Sequence, residues 1–414
     1  MDAPAGRTTD TDVGARLDRL LHATVLPWWR PICSAPDGGF RPAHDVRGQP
    51  VADRPIALVA QARVVWAAAT LAGRGIDPGF WGPVARRGVG FLLDRFADPA
   101  HGGFVWLLAA DGRSVAIGDK HLYGQAFALL ALVETARLFA DAGIAAAAHG
   151  LWQTIQERSR DRQHGGHLEW FAPDWRVPPP GGRSPLGVPD GVKLLNTHMH
   201  LMEAARSYAA WSGAPAAREW LAELVLVCAV AVQNRDPAFP TDRHAADWRP
   251  LGGVAAPASY GHAAELAWLL PRAAQAAGVP AAVLRGLCDD MVAAAIRFGL
   301  DARQGGLFEA GPLGGAATRH HKIWWVQAEG LVAFLDRFAA SADPAFAHAF
   351  RATLDWIERR QVDRIGGEWH AVVQPDGRLR GDKASGWKCP YHQVRALLHC
   401  RDLVAAGVDA ARPA

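Results

Sequence analysis

Histidine side chains recur near the starts of helices that follow one another at a regular interval along the chain. Three histidines and three glutamines form this series, at successive intervals of 64, 75, 62, 65 and 65 residues: Gln61, Gln125, His200, His262, Gln327 and His392. Imidazole titrates near neutral pH and can both remove and return a proton. One histidine alone is more often a structural residue, but three at matching positions favour acid/base chemistry.

Two of these histidines are followed by a glutamate three residues later. The pairs His200/Glu203 and His262/Glu265 each place an imidazole and a carboxylate on one helical face, where the carboxylate can fix the tautomer of the ring. The same side chains can ligate a metal, but the order is the reverse of the Glu-x-x-His motif and a further ligand cluster is missing. We therefore expect no metal, and a pocket rich in histidine and tryptophan but poor in acids.

The elements that must position these residues repeat along the chain. A Gly-Gly pair recurs with first glycines at intervals of 64, 63, 140 and 61 residues: Gly38, Gly102, Gly165, Gly305 and Gly366. The interval of 140 is a doubled period, and its midpoint falls in the turn-rich stretch Asn234-Arg235-Asp236-Pro237, where a sixth copy has lost its glycines. A fixed period of this length indicates a repeat architecture of six units.

Each unit has the apolar pattern of two helices, so about twelve helices result. Two helices per repeat, six times over, predict an all-α fold, an (α/α)6 barrel that occupies residues 1–414 as a single catalytic domain. An open α-solenoid is the alternative, and the lack of polar capping repeats favours closure. The best-defined helices are predicted at residues 122–142, 195–211, 217–233, 262–277, 326–340 and 392–405.

Short strand signals follow two of the Gly-Gly pairs. Residues 104–108 run into Asp111-Gly112, and residues 369–373 run into Pro375-Asp376-Gly377, which is typical of β-hairpins. The proline-rich segment 177–185 predicts a long loop. These hairpins should cluster at one end of the barrel, above the N-termini of the helices that carry the histidines. Helix N-termini suit a developing oxyanion there.

Composition limits the partners and the location. The formal net charge is +3 without a dense basic run, which argues against nucleic acid and anionic membranes as partners. The longest apolar run, residues 224–232, is too short for a membrane span, and the polar start lacks a secretory signal. Five scattered cysteines indicate a reducing compartment. We expect a cytoplasmic protein with a small-molecule partner, and a homodimer stays open.

Several motifs together resemble the N-acylglucosamine 2-epimerase superfamily, most closely its cellobiose 2-epimerase and mannose 2-epimerase branch. In chain order these stretches are Lys120-His121-Leu122-Tyr123-Gly124-Gln125, Asn196-Thr197-His198-Met199-His200-Leu201-Met202-Glu203, Gly261-His262-Ala263-Ala264-Glu265, Trp324-Trp325-Val326-Gln327-Ala328-Glu329 and Trp387-Lys388-Cys389-Pro390-Tyr391-His392. The resemblance covers nearly the whole chain. It implies an (α/α)6 barrel that needs no cofactor and that epimerises or isomerises aldoses at C2.

The resemblance also implies roles for individual residues. His262 and His392 would be the acid/base pair, while His200 and Glu265 would assist ring opening and orientation. The residues that would hold substrate oxygens or flank the sugar are Arg63, Tyr123, Asn196, Trp324 and Trp387. Gln393 stands where we expect asparagine in cellobiose enzymes, which leaves the preference for a disaccharide open.

The chemistry of a C2 epimerisation asks for these residue types. A base removes the proton next to the aldehyde, and fixed donors such as Arg63 stabilise the enediolate. Return of the proton to the opposite face needs a second base, whereas a ketose-forming isomerase returns it to C1. Mannose, N-acylmannosamine and cellobiose stay open as substrates. A glycosidase would need two flanking carboxylates in place of histidines, and a non-catalytic sugar-binding barrel is the remaining alternative.

Overall fold

Helices and short connecting strands make up residues 12–231, 234–235, 238–252, 256–280 and 282–410, which are the residues that the computed structural model describes. The helices are α1 (Val13–Arg19), α2 (Leu26–Cys33), α3 (Leu58–Gly73), α4 (Pro78–Phe91), α5 (Leu122–Phe139), α6 (Ala142–Arg158), α7 (Leu195–Ser212), α8 (Pro215–Val230), α9 (Tyr260–Ala277), α10 (Ala282–Gly299), α11 (Trp324–Ser341), α12 (Pro344–Trp356) and α13 (Tyr391–Ala405). Turns of π-helix join α1 to α2 and extend α4 and α12 (Leu20–Val25, Leu92–Phe96 and Ile357–Gln361).

Burial separates these helices into an inner and an outer layer. In α5 nearly every residue is buried, as expected of a helix that is apolar all round. In α6 the buried residues are confined to one stripe, Ile144, Ala148, Leu151 and Ile155, so the helix packs with one face only. The inner layer consists of α3, α5, α7, α9, α11 and α13, and each is paired with an outer helix.

The inner helices close into a ring. Each packs against the next along the chain, and α13 packs against both α11 and α3. The first helix, α1, packs against α13, so the outer layer also joins the two ends of the chain. The ring confirms the predicted (α/α)6 barrel and excludes the open solenoid.

Short antiparallel strands lie at the N-terminal end of the inner helices. The predicted hairpins are confirmed: Leu107–Leu108 pairs with Val115–Ile117, and Val372–Val373 pairs with Leu379–Arg380. The remaining strands are Ile56–Ala57, Lys120–His121, Trp170–Phe171, Lys193–Leu194, Asn234–Arg235, Ala238–Phe239, Arg243–His244, Pro257–Ser259, Ala310–Pro312 and Lys322–Ile323. In the stretch predicted to hold the sixth Gly-Gly copy, Asp236 and Pro237 lie outside the described residues.

The Gly-Gly turns are fastened by a repeated ion pair. A lysine at or near the strand before an inner helix donates to an aspartate four residues before a glycine of the turn: Lys120 to Asp98 (2.7 Å), Lys193 to Asp161 (2.7 Å), Lys322 to Asp301 (2.8 Å) and Lys383 to Asp363. All four lysines are buried. This contact fixes the connecting loop onto the start of the inner helix.

The residue five positions after the aspartate of this ion pair has a left-handed backbone and lies close to the inner helix. Gly103 has φ +69°, and a Cβ atom there would lie 3.0 Å from Oε1 of Gln125. In the last repeat Glu368 takes this position with φ +65°. Its carboxylate accepts hydrogen bonds from Trp29, Lys388 and Gln393, which hold the strained residue in place.

The glutamines of the periodic series bind these turns. At the fourth residue of α3, α5, α7 and α11, one side chain accepts a hydrogen bond from the backbone N–H after the turn: Gln61 from Phe40, Gln125 from Phe104, His198 from His167 and Gln327 from Leu307. The expectation that the glutamines are equivalent to His200, His262 and His392 is therefore wrong. Their equivalent on α7 is His198.

One helix among the described residues, α5, has the length and apolar composition of a membrane span. It is an inner helix of the barrel, and 78% of it is buried there.

Replacement of Gln125 by leucine tests the hydrogen bonds that hold the Gly-Gly turn to α5. The change removes two bonds to Phe104 and leaves its buried N–H and C=O groups without partners. Unsatisfied groups of this kind cost about 1–3 kcal/mol each, so we expect the free energy of unfolding in urea to fall by about 2–4 kcal/mol. Gln275→Leu on the exposed side of α9 is the control, with an expected change within about 0.5 kcal/mol. Equal changes in the free energy of unfolding for the two variants would contradict a stabilising role of the Gln125 hydrogen bonds.

Candidate active site

A buried arginine on α13 joins three inner helices at the centre of the barrel. The guanidinium of Arg395 donates to Glu203 on α7 (2.7 Å), to Glu329 on α11 (2.8 Å) and to Glu265 on α9. Tyr391, one turn before Arg395, donates its hydroxyl to Glu203. All five residues are buried, so the arrangement is a closed cluster in a medium of low polarity.

One positive charge faces three carboxyl groups in this cluster, and their pKa values separate. Burial opposes ionisation of Glu203, yet Arg395 and the hydrogen bonds of the carboxylate hold its pKa well below the ordinary range. Burial likewise opposes ionisation of Glu329, and Arg395 and His392 hold its pKa at about 2. Burial and the charge of Glu329 raise the pKa of Glu265 to about 8. The cluster therefore keeps one proton at neutral pH, on Glu265.

His392 is oriented by this cluster. Its Nδ1 lies 2.6 Å from Oε1 of Glu329. Because Glu329 is ionised and can only accept, Nδ1 carries the hydrogen and Nε2 is left with a free lone pair. Burial lowers the pKa of His392 to about 3, so the ring is neutral. It is placed to act as a base through Nε2.

His262 has a different environment. The ring stacks on Trp325 with centroids 4.9 Å apart, and no described side chain hydrogen-bonds it. Burial lowers the pKa of His262, so the ring is neutral at neutral pH. The residue is nevertheless only half buried, so part of it is accessible. The paired carboxylate expected on its own helix, Glu265, turns to Arg395 instead. His262 is held by packing, while His392 is held by a hydrogen bond.

An indole lies between the two imidazoles. Trp325 is 4.9 Å from His262 and 5.9 Å from His392, measured between ring centroids. Gly261 makes this possible, because a Cβ atom there would lie 2.5 Å from the indole. Trp324 and Trp325 are both partly buried and pack against the core, and Trp324 lies beside the ammonium group of Lys388. The sugar-flanking role of Trp324 stays a prediction, and Trp325 is a further aromatic residue beside the two imidazoles.

The residues expected to hold substrate oxygens also come together. Arg63 donates to the hydroxyl of Tyr123 (2.8 Å) and to the backbone oxygen of Trp387 (3.3 Å). Tyr123 also hydrogen-bonds Asn196. The Nε of Arg63 is buried without a hydrogen-bond partner among the described residues. Trp387 is 44% exposed and lies 6.0 Å from the ring of Tyr123.

His200 connects this group to the cluster of carboxyl groups. Its Nδ1 lies 3.1 Å from Glu203, as the His-x-x-Glu spacing predicted, and its Nε2 lies 3.9 Å from Glu265. The ring packs edge-on against Tyr123, with centroids 5.3 Å apart. Apart from Trp324, all the residues predicted for the site thus lie in one network around the barrel axis.

The expectation of a site poor in acids is wrong, because three buried glutamates surround Arg395. Glu329 and Arg395 were not predicted as site residues. Glu329 is the sixth residue of α11 and Arg395 is the fifth of α13. Both belong to a series that repeats at intervals of 64, 73, 65, 64 and 66 residues: Arg63, Phe127, His200, Glu265, Glu329 and Arg395. Alignment of the helix starts would have found them.

Three ligand-type side chains meet in this cluster. The donor atoms of Glu265, Glu329 and His392 lie within 4.8 Å of one another, a spacing that suits a metal ion. Arg395 already donates to both carboxyl groups, and its positive charge stands where a cation would need to bind. The arrangement is an ion-pair network built on a guanidinium.

Comparison with known proteins assigns the family. A family model described as N-acylglucosamine 2-epimerase (GlcNAc 2-epimerase) matches residues 38–396. The chain belongs to this family. Its members epimerise or isomerise carbohydrates, and the chain is an enzyme of this class.

Individual relatives agree with the family. The cellobiose 2-epimerase of Bacteroides fragilis is 28% identical over 397 residues, covering 92% of this chain and 97% of that protein. The solved cellobiose 2-epimerase from Spirochaeta thermophila is 28% identical, covers 95% of this chain and 97% of its own, and superposes with a TM-score of 0.85. A D-mannose isomerase structure shares the fold at 19% identity, covering 96% of this chain and 99% of its own, with a TM-score of 0.79.

The proton on Glu265 gives a prediction about pH. Its pKa is raised from 4.5 to about 8 in the folded protein, so the stabilisation it brings is complete below pH 4.5 and is lost as the pH rises towards 8. Glu265→Gln keeps an oxygen for Arg395 but cannot ionise. We expect the free energy of unfolding of this variant, measured in urea from pH 5 to 9, to fall less steeply than that of the wild type.

The exposed Glu219→Gln is the control for this experiment, and it should follow the wild-type profile. A Glu265→Gln variant whose profile parallels that of the wild type would show that the carboxyl group is already ionised at neutral pH.

Proposed function

We propose that the chain is a carbohydrate 2-epimerase that interconverts C2 epimers of an aldose through an enediolate. The substrate is of the mannose and glucose type, or the reducing-end glucose of a β-1,4-disaccharide. The observation that carries the proposal is the placement of His262 on α9 and His392 on α13, with the indole of Trp325 on α11 between them. Two bases on alternate helices of the ring can address the two faces of a flat intermediate.

The residues fit successive steps of this reaction. Glu265, which keeps its proton at neutral pH, and His200 assist opening of the sugar ring. One neutral imidazole takes the C2 proton, and the electron pair moves to the aldehyde oxygen. The positive charge of Arg63, which is held beside Tyr123, stabilises that negative charge.

A proton must then return to C2 from the other face. His392 is the acid in this step once its Nε2 has taken a proton from solvent, and the histidine that acted as the base releases the substrate proton to solvent. The product leaves with the proton count of the substrate, and solvent restores the starting state of the histidines. No metal or organic cofactor enters these steps, which agrees with the place that Arg395 occupies among the carboxylates.

The alternatives have less support. A ketose-forming isomerase, or an N-acylglucosamine 2-epimerase, would use the same histidines on the same scaffold. A glycosidase would need two free carboxyl groups, but both Glu265 and Glu329 are bound to Arg395. Gln393 no longer bears on the choice of a disaccharide, because its side chain is buried and donates to Glu368 (2.6 Å). A single domain over residues 1–414, a cytoplasmic location, the absence of nucleic-acid and membrane partners, and a homodimer stay predictions.

An NMR time course with mannose in deuterated water, after dialysis against EDTA, tests the proposal. We expect glucose as the main product, with deuterium at C2. His262→Asn and His392→Asn should each lower turnover by about 10²- to 10⁴-fold, the usual contribution of an acid or base. His101→Asn, in an exposed Gly-Gly turn, is the control and should retain activity.

Three results would contradict the proposal. Fructose that appears first with its label at C1 would indicate an isomerase. Activity above about a tenth of wild type in either histidine variant would remove that residue from the acid/base pair. Activity lost on dialysis and restored by zinc or manganese would revive the metal site.

The two neighbouring tryptophans form a matched pair for a second test. Trp325→Leu removes the aromatic surface between the imidazoles, so we expect kcat/KM to fall by about tenfold, since such contacts are worth about 0.5–1.5 kcal/mol beyond burial. Trp324→Leu, one residue away beside Lys388, should change kcat/KM less than about threefold. Steady-state kinetics and thermal unfolding of both variants separate activity from stability, and the reverse order would support the sugar-flanking role of Trp324.

A further inference from the structure

A second cavity lies toward the C-terminal ends of the inner helices, at the end of the barrel away from His262 and the hairpins. Its volume is about 280 Å³, and five of the six inner helices contribute to its walls. Four arginines line it, which is unusual for a cavity of this size: Arg74, Arg206, Arg272 and Arg395. Nothing in the proposed reaction uses this space.

The carboxylates around the cavity already have partners. Asp402 accepts from Arg74, Asp336 from Arg272, and Glu203 from Arg395. Glu134 accepts from Ser207 (2.7 Å) and from Arg137 (2.9 Å). After these pairs are formed, one cationic side chain of the cavity wall, Arg206, is left.

Arg206 has no hydrogen bond or ion pair with the described residues, and its Nε is buried. It lies six residues before the end of α7, so it is not placed to cap the last carbonyl groups of that helix. Burial lowers the pKa of Arg206, and the charges of Arg272 and Arg395 act in the same direction. The charges of Glu203 and Glu134 oppose them, but neither carboxylate forms an ion pair with Arg206. A second donor in the same wall, the hydroxyl of Thr70, is also buried without a partner.

We propose that this cavity binds a phosphate group, held by the guanidinium of Arg206 and the hydroxyl of Thr70. A guanidinium presents parallel N–H donors that match two phosphate oxygens, and a hydroxyl can donate to a third. The anion supplies the negative charge that Arg206 lacks. The phosphate is either free or the ester of a small molecule, since the cavity is larger than inorganic phosphate requires.

Calorimetry and thermal unfolding with inorganic phosphate test this site without reference to turnover. We expect saturable binding to the wild-type protein, and a rise in unfolding temperature that sodium chloride of equal ionic strength does not reproduce. Arg206→Met should weaken the affinity at least tenfold. Arg86→Met, which removes a surface arginine paired with Asp141, is the control and should bind as the wild type does.

Two further variants guard against an effect of folding alone. Thr70→Val should weaken phosphate binding severalfold. Arg206→Lys should bind phosphate with intermediate affinity, because lysine keeps the positive charge but lacks the parallel N–H donors of the guanidinium. Without phosphate, Arg206→Met should unfold at the same or a higher temperature than the wild type, since it removes an uncompensated buried charge. A lower unfolding temperature would indicate that Arg206 is a structural residue and would overturn the proposal.

Glycerol 3-phosphate distinguishes the two sources of the ligand. Tighter binding than that of inorganic phosphate supports an ester, and weaker binding supports the free anion. Stabilisation by phosphate that equals that by chloride, or that is the same in the wild type and Arg206→Met, would show that no such site exists.

Discussion

The contacts of one buried guanidinium hold the candidate active site together. Arg395 gathers a carboxyl group from each of α7, α9 and α11 onto α13, so the ring of inner helices and the reactive groups depend on the same hydrogen bonds. Charges are costly to bury, and here a single cation cannot balance three anions. One carboxyl group therefore keeps its proton, and burial together with the charge of Glu329 places that proton on Glu265.

The repeated turns explain how side chains of different origin reach one place. The fourth residue of an inner helix binds the Gly-Gly turn, as Gln125 does, and this fixes the rotation of the helix about its own axis. With the fourth residue committed to the turn, the third and sixth residues, one helical turn apart, share the face that is left for the barrel axis. His262 and Glu265 hold these two positions on α9, although the fourth residue of that helix, Ala263, has no side chain that could bind a turn. The scaffold residues can repeat while the axial residues differ from helix to helix.

The repeat made the barrel and most of the candidate site predictable from sequence, because a closed ring brings equivalent helix starts together. The register within a helix was harder to predict. A shift of one residue rotates a side chain by about 100°, so the pattern Trp324-Trp325 does not by itself decide which indole lies beside the imidazoles. The partners of Arg395 come from helices far apart in the chain, and no local pattern pairs them. His200 could be paired with Glu203 because that contact is local, whereas His392 and Glu329 lie 63 residues apart in neighbouring repeats.

The two imidazoles are not interchangeable, and the difference suits an epimerase. His392 is bound to Glu329, so its tautomer and orientation are fixed. His262 rests on Trp325 without a hydrogen bond from a described side chain, so its nitrogens are free to follow the substrate. A reaction that removes a proton from one face of C2 and returns one to the other face needs an acid with a fixed orientation and a base that can adjust its position. In the proposed reaction, the indole of Trp325 would support the flat intermediate beside both imidazoles.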